Sequence, residues 1–328
     1  MSKLLDTVRW GIIGCGDVCE KKSGPAFYNI KHSALTAVMR RDEDKAKDFA
    51  LRHGVKQYYT DADSLINDPN VDIVYIATPP ASHKEYTIKA LQAGKSVYVE
   101  KPMAINFAEC EEMIRIADET KQKLFVAFYR RSMSYFVKIK ELLDTNAIGK
   151  VLTVDVKMLR APQASDLTVN TQTWRVDKNI AGDGYFYDLA PHTLDILDYF
   201  LGEIVDAKGY RDNLSHLYES SDTVSAIFKF KSGVQGIGQW SFTGNENYEE
   251  DSVIVRGTMG EIEFGTFNFK PIILKYGSEK KLFEISRPEC VEQELIQTIV
   301  SELRGTGECP STAISAARTS WVMDMIMK

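Results

Sequence analysis

The stretch VRWGIIGCGDVC, residues 8–19, decides the reading of the fold. An apolar run, Val8–Ile13, ends in Gly14-Cys15-Gly16 and opens into Asp17-Val18-Cys19. A strand that closes on a GxG turn and passes into a helix is the start of a dinucleotide-binding fingerprint. Gly14 permits the tight turn, and Gly16 lets backbone amides approach a pyrophosphate at a helix N-terminus. Asp17 and Val18 continue that turn and are candidate contacts for the same group. The third position holds Cys19 where the fingerprint has Gly or Ala, and a small thiol can occupy it. The plain alternative is an ordinary strand-to-helix turn. Ser23-Gly24-Pro25 should break or restart the helix that follows.

Outward from this start the chain alternates between two textures. Apolar runs with many β-branched residues recur at 35–39, 73–77, Ser96–Val99 and 124–128. Polar stretches with helical spacing separate them at 42–53, 82–93 and Phe107–Thr120. The pattern predicts a doubly wound parallel sheet of the Rossmann type over residues 1–128. Beyond residue 148 longer strands are predicted at 151–158, Thr223–Phe230, 234–242, 252–256 and Ile272–Tyr276. Turn signals such as Lys231-Ser232-Gly233 join them, which predicts an α/β domain over 129–328 with a large, mainly antiparallel open sheet. Helices are expected at 188–201, 291–303 and Ala313–Met327, the last packing back on the first domain. The polar segment 161–173 has no period and reads as a loop.

Composition narrows the class. The 328 residues carry 44% hydrophobic and 26% charged residues, the profile of a globular protein with room for two domains. Forty basic residues against 46 acidic ones leave a net charge of −6 with no basic block. Nucleic acid and anionic membrane are therefore not expected partners. No apolar run approaches the ~20 residues of a membrane helix. The N-terminus lacks the apolar core of a signal peptide, and five scattered cysteines suit reduced thiols, so a cytoplasmic location is expected. No cysteine pair stands at zinc-ligand spacing, and no metal is expected.

Four further places carry candidate chemistry. The second strand ends in Arg40-Arg41-Asp42, where an NAD site wants an acid and an NADP site wants Arg for the 2′-phosphate. This leans toward NADP, with NAD still possible; the alternative is two solvated arginines with Asp42 capping the next helix. Thr78-Pro79-Pro80 fixes a stiff turn at a strand's carboxyl end, the rim where ligands bind in such sheets. His83, a few residues on, fits either that rim or a structural bond to backbone. Glu100-Lys101-Pro102 closes the next apolar strand, and a lysine there can donate to a reacting oxygen or stand in solvent. In the second half Asp188 precedes His192 by one helical turn. Taken alone, the pair reads as a helix cap and a satisfied histidine; beside a cofactor fingerprint and Lys101 it reads as an orienting carboxylate and an acid/base. Asp195 is read as a structural partner or a second polar residue facing the cleft. Tyr185, Phe186 and Tyr187 either line a sugar-sized pocket or pack in the core.

In this order and spacing, GIIGCGDV, ATPPASH, VEKP and TWRVDKNIAGDGYFYDLAPHTLD resemble the glucose–fructose oxidoreductase / inositol dehydrogenase / rhizopine catabolism (Gfo/Idh/MocA) oxidoreductase family over nearly the whole chain. The resemblance implies a nicotinamide cofactor and a sugar, cyclitol or related hydroxyl or carbonyl substrate. It also implies a homodimer or homotetramer. It places Lys101 on substrate hydroxyl and nicotinamide, Glu100 by the nicotinamide ribose, Asp188 and His192 as orienting and acid/base residues, and Trp174-Arg175 near the cleft. Tyr129 and Tyr187 are the further candidate substrate contacts. Two rivals stay open: a hydrolase or lyase that keeps its NAD(P) bound, and a non-enzymatic dinucleotide sensor. The chain departs from the family pattern at Cys19, at Gly182-Asp183-Gly184 and at Ala190-Pro191.

Overall fold

A computed structural model describes residues 5–328, apart from the side chains of Val169 and Asn179. The chain divides into two compact units, Met1–Met133 with Pro288–Ala317 and Ser134–Arg287 with Arg318–Lys328. The sequence reading cuts once, after residue 128. The division here falls a few residues later, and a C-terminal segment returns to the first unit.

The first unit is a parallel sheet with helices between its strands. Its elements run β1 (Val8–Ile13), α1 (Gly24–Asn29), β2 (Ser33–Met39), α2 (Glu43–Arg52), β3 (Gln57–Tyr59), α3 (Ala62–Ile66), β4 (Ile73–Ile76), α4 (His83–Gln92), β5 (Ser96–Val99), α5 (Phe107–Thr120) and β6 (Leu124–Val126). The spatial order is β3-β2-β1-β4-β5-β6, with every pair parallel. Strand order reverses between β1 and β4, so the crevice at their carboxyl ends is where such a sheet takes its ligand. β4 and β5 are buried along their whole length, as parallel strands covered on both faces must be. Asp42 and Asn106 start α2 and α5 by accepting the amides of Lys45 and Glu109. Between β1 and α1 the chain makes a π-helical turn at Cys19–Ser23 and restarts as an α-helix at Gly24-Pro25.

The second unit is built on an eight-stranded sheet. Its elements are α6 (Ser134–Asp144), β7 (Val151–Leu159), α7 (Lys178–Ala181), α8 (Tyr185–Leu201), β8 (Ile204–Asp212), β9 (Thr223–Phe230), β10 (Gln235–Ser241), β11 (Glu250–Gly257), β12 (Gly260–Phe264), β13 (Ile272–Tyr276) and β14 (Glu279–Phe283). The order is β14-β13-β12-β11-β7-β10-β9-β8, antiparallel except where β10 runs beside β7. β9 alternates strictly: Val224, Ala226, Phe228 and Phe230 face the core, while Ser225, Ile227 and Lys229 face outward. Helix α9 (Gln293–Leu303) belongs to the first unit, and α10 (Ala313–Met327) is shared by the division after Ala317. Within the first unit Ala313, Ala316 and Ala317 join the core formed by β4, β5, β6 and α5. The segment 161–173 carries short 3-10 turns. Among the described residues no helix is long and apolar enough to cross a membrane.

Candidate active site

In the first unit, every candidate cofactor residue of the sequence reading from Gly14 to Lys101 lies at the carboxyl edge of the sheet. Gly14 sits at φ +87°, and a Cβ there would come within 2.8 Å of the Thr78 methyl. Its amide and that of Cys15 both donate to the Met39 carbonyl, which locks the turn to the end of β2. A Cβ on Gly16 would meet nothing closer than 3.9 Å. The protein itself does not require that glycine; open space over a helix-entry turn is what a bound phosphate needs. The close approach is made instead at Gly24, where a Cβ would fall 2.0 Å from the Cys19 carbonyl. Cys19 is fully buried, with its thiol over the Gly14 carbonyl. Burial pushes the Cys15 thiol up to about 11, so it stays neutral beside the turn. Asp17 extends into solvent, and Val18 is half-buried.

Arg40 reaches back over the same turn and donates from its guanidinium to the Cys15 carbonyl at 3.3 Å. Arg41 is exposed, and Asp42 accepts the Lys45 amide as a helix cap. Thr78 accepts a bond from the Ser82 hydroxyl at 2.8 Å. His83 is buried between two backbone carbonyls, 2.9 Å from that of Pro102 and 2.7 Å from that of Thr78. Burial lowers its pKa, so the neutral ring donates to one of these carbonyls and packs against the other, between the Thr78-Pro79 turn and the Glu100-Lys101-Pro102 turn. Glu100 is buried, accepting from the Tyr75 hydroxyl at 2.8 Å and the Lys101 amide at 3.1 Å. Tyr129 is buried just past β6, with the Arg130 guanidinium over its ring at 5.1 Å.

The second unit carries the other candidates. Asp188 and His192 lie one turn apart on α8. Asp188 accepts from Arg175 Nε at 3.1 Å, and the Arg175 guanidinium lies 4.8 Å over the Trp174 ring. Trp174-Arg175 and the helix are therefore one assembly centred on Asp188. His192 is buried, edge-on to Phe267 at 5.5 Å. Pro191 has no N–H to return to the Tyr187 carbonyl, so the helix gives up one bond directly beside the histidine. Tyr187 packs its ring against Gly182 and donates to Asp324 at 3.4 Å. Asp195 is buried and accepts from the Thr319 hydroxyl at 3.4 Å.

A cavity of about 650 Å³ opens in this unit on the Tyr185 and Leu189 face of α8, the face that His192 continues. Phe267, which touches His192, also lines it. Arg160 stands over Phe267 at 5.1 Å, and Gln163, Glu249 and Lys270 add polar edges. The sequence reading missed Arg160 and Phe267. Arg160 follows directly on β7, a strand end like the others, whereas nothing local marks Phe267.

A Rossmann sheet with an open phosphate turn, a lysine at a strand's carboxyl end and a helical Asp-x-x-x-His describe a dehydrogenase-type chain. Residues 8–128 match the family described as "Oxidoreductase family, NAD-binding Rossmann fold", and residues 136–263 match "GFO/IDH/MocA C-terminal domain". The chain is 38% identical over 318 residues to Oxidoreductase P35 of Formosa agariphila, covering 97% of this chain and 98% of that protein. It is 27% identical to myo-inositol 2-dehydrogenase of Thermotoga maritima, over 93% of this chain and 91% of the relative. Levoglucosan dehydrogenase in complex with NADH shares the fold at a TM-score of 0.87 and 21% identity, covering 98% of this chain and 96% of that structure. The chain belongs to the Gfo/Idh/MocA oxidoreductase family. It is an NAD(P)-dependent oxidoreductase with a small-molecule substrate.

Proposed function

We propose that the protein is an NADP(H)-preferring dehydrogenase or reductase acting on a CH–OH group of a sugar, cyclitol or related compound. Family membership supports the reaction class. The cofactor preference rests on one observation: Arg40, at the end of β2, holds its guanidinium over the glycine turn, where other folds of this class place an acid. A nicotinamide cofactor, when bound, supplies the hydride acceptor or donor. The residues that would hold it are Gly14, Gly16, Asp17, Val18, Arg40, Arg41, Thr78, Pro79, Glu100, Lys101, Trp174 and Arg175; His83, expected among them from the sequence, is fully buried with both ring nitrogens against backbone carbonyls and supports the turns instead. His192 takes the hydroxyl proton as the carbinol carbon gives up its hydride, and returns it in the reverse direction. Asp188 orients the ring, and Lys101 steadies the negative charge that develops on the substrate oxygen. Tyr129 and Tyr187 are proposed as further substrate contacts. The cavity beside Phe267 lies within the ~300–1,000 Å³ of small-molecule sites, and its mixed aromatic and polar edges suit a polyol.

The test is a titration with NADPH and NADH followed by tryptophan fluorescence, then a screen of sugars and cyclitols with the preferred cofactor. NADPH should bind more tightly. Arg40→Ala should weaken NADPH by about 10- to 100-fold, the loss of one charge-assisted bond to phosphate, and leave NADH nearly unchanged. Equal loss for both cofactors would remove Arg40 as a phosphate reader. Protein that arrives with cofactor it does not exchange would favour internal redox cycling over a dehydrogenase.

The outward face of the second unit's sheet supports a homodimer. Ile227 and Ile237 are 62% and 55% exposed and stand opposite each other across β9 and β10, with Tyr210 79% exposed on β8. A second copy would cover this apolar strip. Replacing Ile227 and Ile237 together by lysine should move the mass in light scattering toward that of the monomer. A wild-type monomer would end this reading.

A further inference from the structure

Beneath the carboxyl end of β5 lie two carboxyl groups whose partners are two stacked tyrosines. Tyr75 on β4 and Tyr98 on β5 stack at 5.0 Å. The Tyr75 hydroxyl donates to Glu100 at 2.8 Å, and the Tyr98 hydroxyl donates to Glu292 at 3.0 Å. Ser23 donates in turn to the Tyr75 oxygen at 3.1 Å. Glu292, just ahead of α9, is wholly buried, and its carboxyl group meets that of Glu100. Its second oxygen, Oε1, finds no N–H or O–H donor among the described residues.

Two ionised carboxylates cannot share a dry site without a cation between them. The titratable groups facing Glu292 are Tyr98, Tyr75 and Glu100 from the sheet, Cys19 and Lys22 from the π-helical turn, and Cys290 beside it. Lys22 is the one cation of this set, and its attraction is smaller than the opposing effects of burial and Glu100. Glu100 already receives two donors, the Tyr75 hydroxyl and the Lys101 amide, whereas Glu292 receives the Tyr98 hydroxyl and keeps Oε1 without one. The pair holds one proton, and the orphan Oε1 of Glu292 is its place.

We propose that Glu292 is a positioning residue for the cofactor-facing end of β5. As a neutral acid it donates its proton to Glu100 and so holds that carboxylate, and the Lys101 amide bonded to it, in one geometry. The role in catalysis rests on the function proposed above; the protonation state does not. Burial and the neighbouring Glu100 raise Glu292 well above the usual carboxylate range. The unfolded chain releases this proton near the ordinary glutamate value while the folded chain keeps it. The native state therefore binds more protons and loses stability as pH rises between those two values.

Three measurements test this. Infrared spectra of the whole enzyme at neutral pH should show a protonated-carboxyl C=O stretch that shifts in D₂O and is absent from Glu292→Gln. The melting temperature of the wild type should fall relative to Glu292→Gln as pH rises from 5 to 8, because the amide cannot titrate. Glu292→Gln, which keeps a neutral donor, should retain cofactor affinity and turnover, whereas Glu292→Leu should weaken cofactor binding by about tenfold. No carboxyl band together with parallel melting curves would overturn the shared proton, whatever the substrate screen finds. Equal cofactor affinity in the Gln and Leu variants would overturn the positioning role.

Discussion

His192→Gln is expected to lower kcat by about 10²- to 10⁴-fold, the usual contribution of a positioned acid/base, while cofactor affinity stays within threefold. The physical case rests on α8. The helix brings His192 into the interior edge-on to Phe267, one turn beyond Asp188, which accepts from Arg175. Burial against the Phe267 ring limits the orientations open to the imidazole, and the proposed role of Asp188, on the same helical face, is to select one of them. Oxidation of the alcohol needs the neutral ring, so the wild-type rate should fall at acid pH, and that limb should vanish in the variant. Glutamine keeps a polar side chain of similar reach beside Phe267, which separates loss of the base from loss of packing. Asp188→Asn should follow with a smaller loss, since it disturbs the ring's orientation and the Arg175 pair but leaves the ring present. A His192→Gln enzyme within threefold of wild-type turnover, with an unchanged acid limb, would remove His192 from the chemistry.

Where a segment is bounded by its own local chemistry, the sequence predicted it well. Phe107–Thr120, Thr223–Phe230, Ile272–Tyr276 and Ala313–Met327 stand at the predicted bounds because apolar periodicity and flanking turn residues agree. What escaped was of two kinds. β3 has three residues, and β8 and β14 are edge strands whose charged, exposed faces hide the alternation. β12 follows a glycine-rich turn and reads as part of it. α8 begins three residues ahead of the prediction, at Tyr185, so Pro191 lies a full turn inside it. The other kind of miss is tertiary. Glu292 meets Tyr98 across 194 positions of chain, and Phe267 meets His192 on α8 from the loop between β12 and β13. No window of sequence contains such pairs. The glycine turn was visible because one strand and its following turn hold the whole device. The buried carboxyl pair was not, because its two acids and their two tyrosines sit on three separate segments.

Lys101 is where the second large effect is expected. Lys101→Met should cut kcat by about 10²- to 10³-fold, the cost of losing one preorganised donor to a developing oxyanion, with a smaller loss, about tenfold or less, in NADPH affinity. The lysine stands at the end of β5 with its backbone secured from both sides. Its own amide is bonded to Glu100, and the carbonyl of the next residue, Pro102, lies 2.9 Å from the buried His83 ring. Anchoring of this kind matters for a long, flexible side chain, since it reduces the freedom that must be lost before the ammonium meets its target. Methionine keeps the length and removes the charge, so the melting temperature should hold while turnover falls. Lys101→Arg should recover only part of the rate, because a planar fork does not place its donors where an ammonium does. If lysine and histidine serve the same transition state, the Lys101→Met/His192→Gln double variant should lose far less than the product of the two single losses. Full multiplicativity would mean that the two act in separate steps, and an undiminished rate in Lys101→Met would remove this lysine from the chemistry.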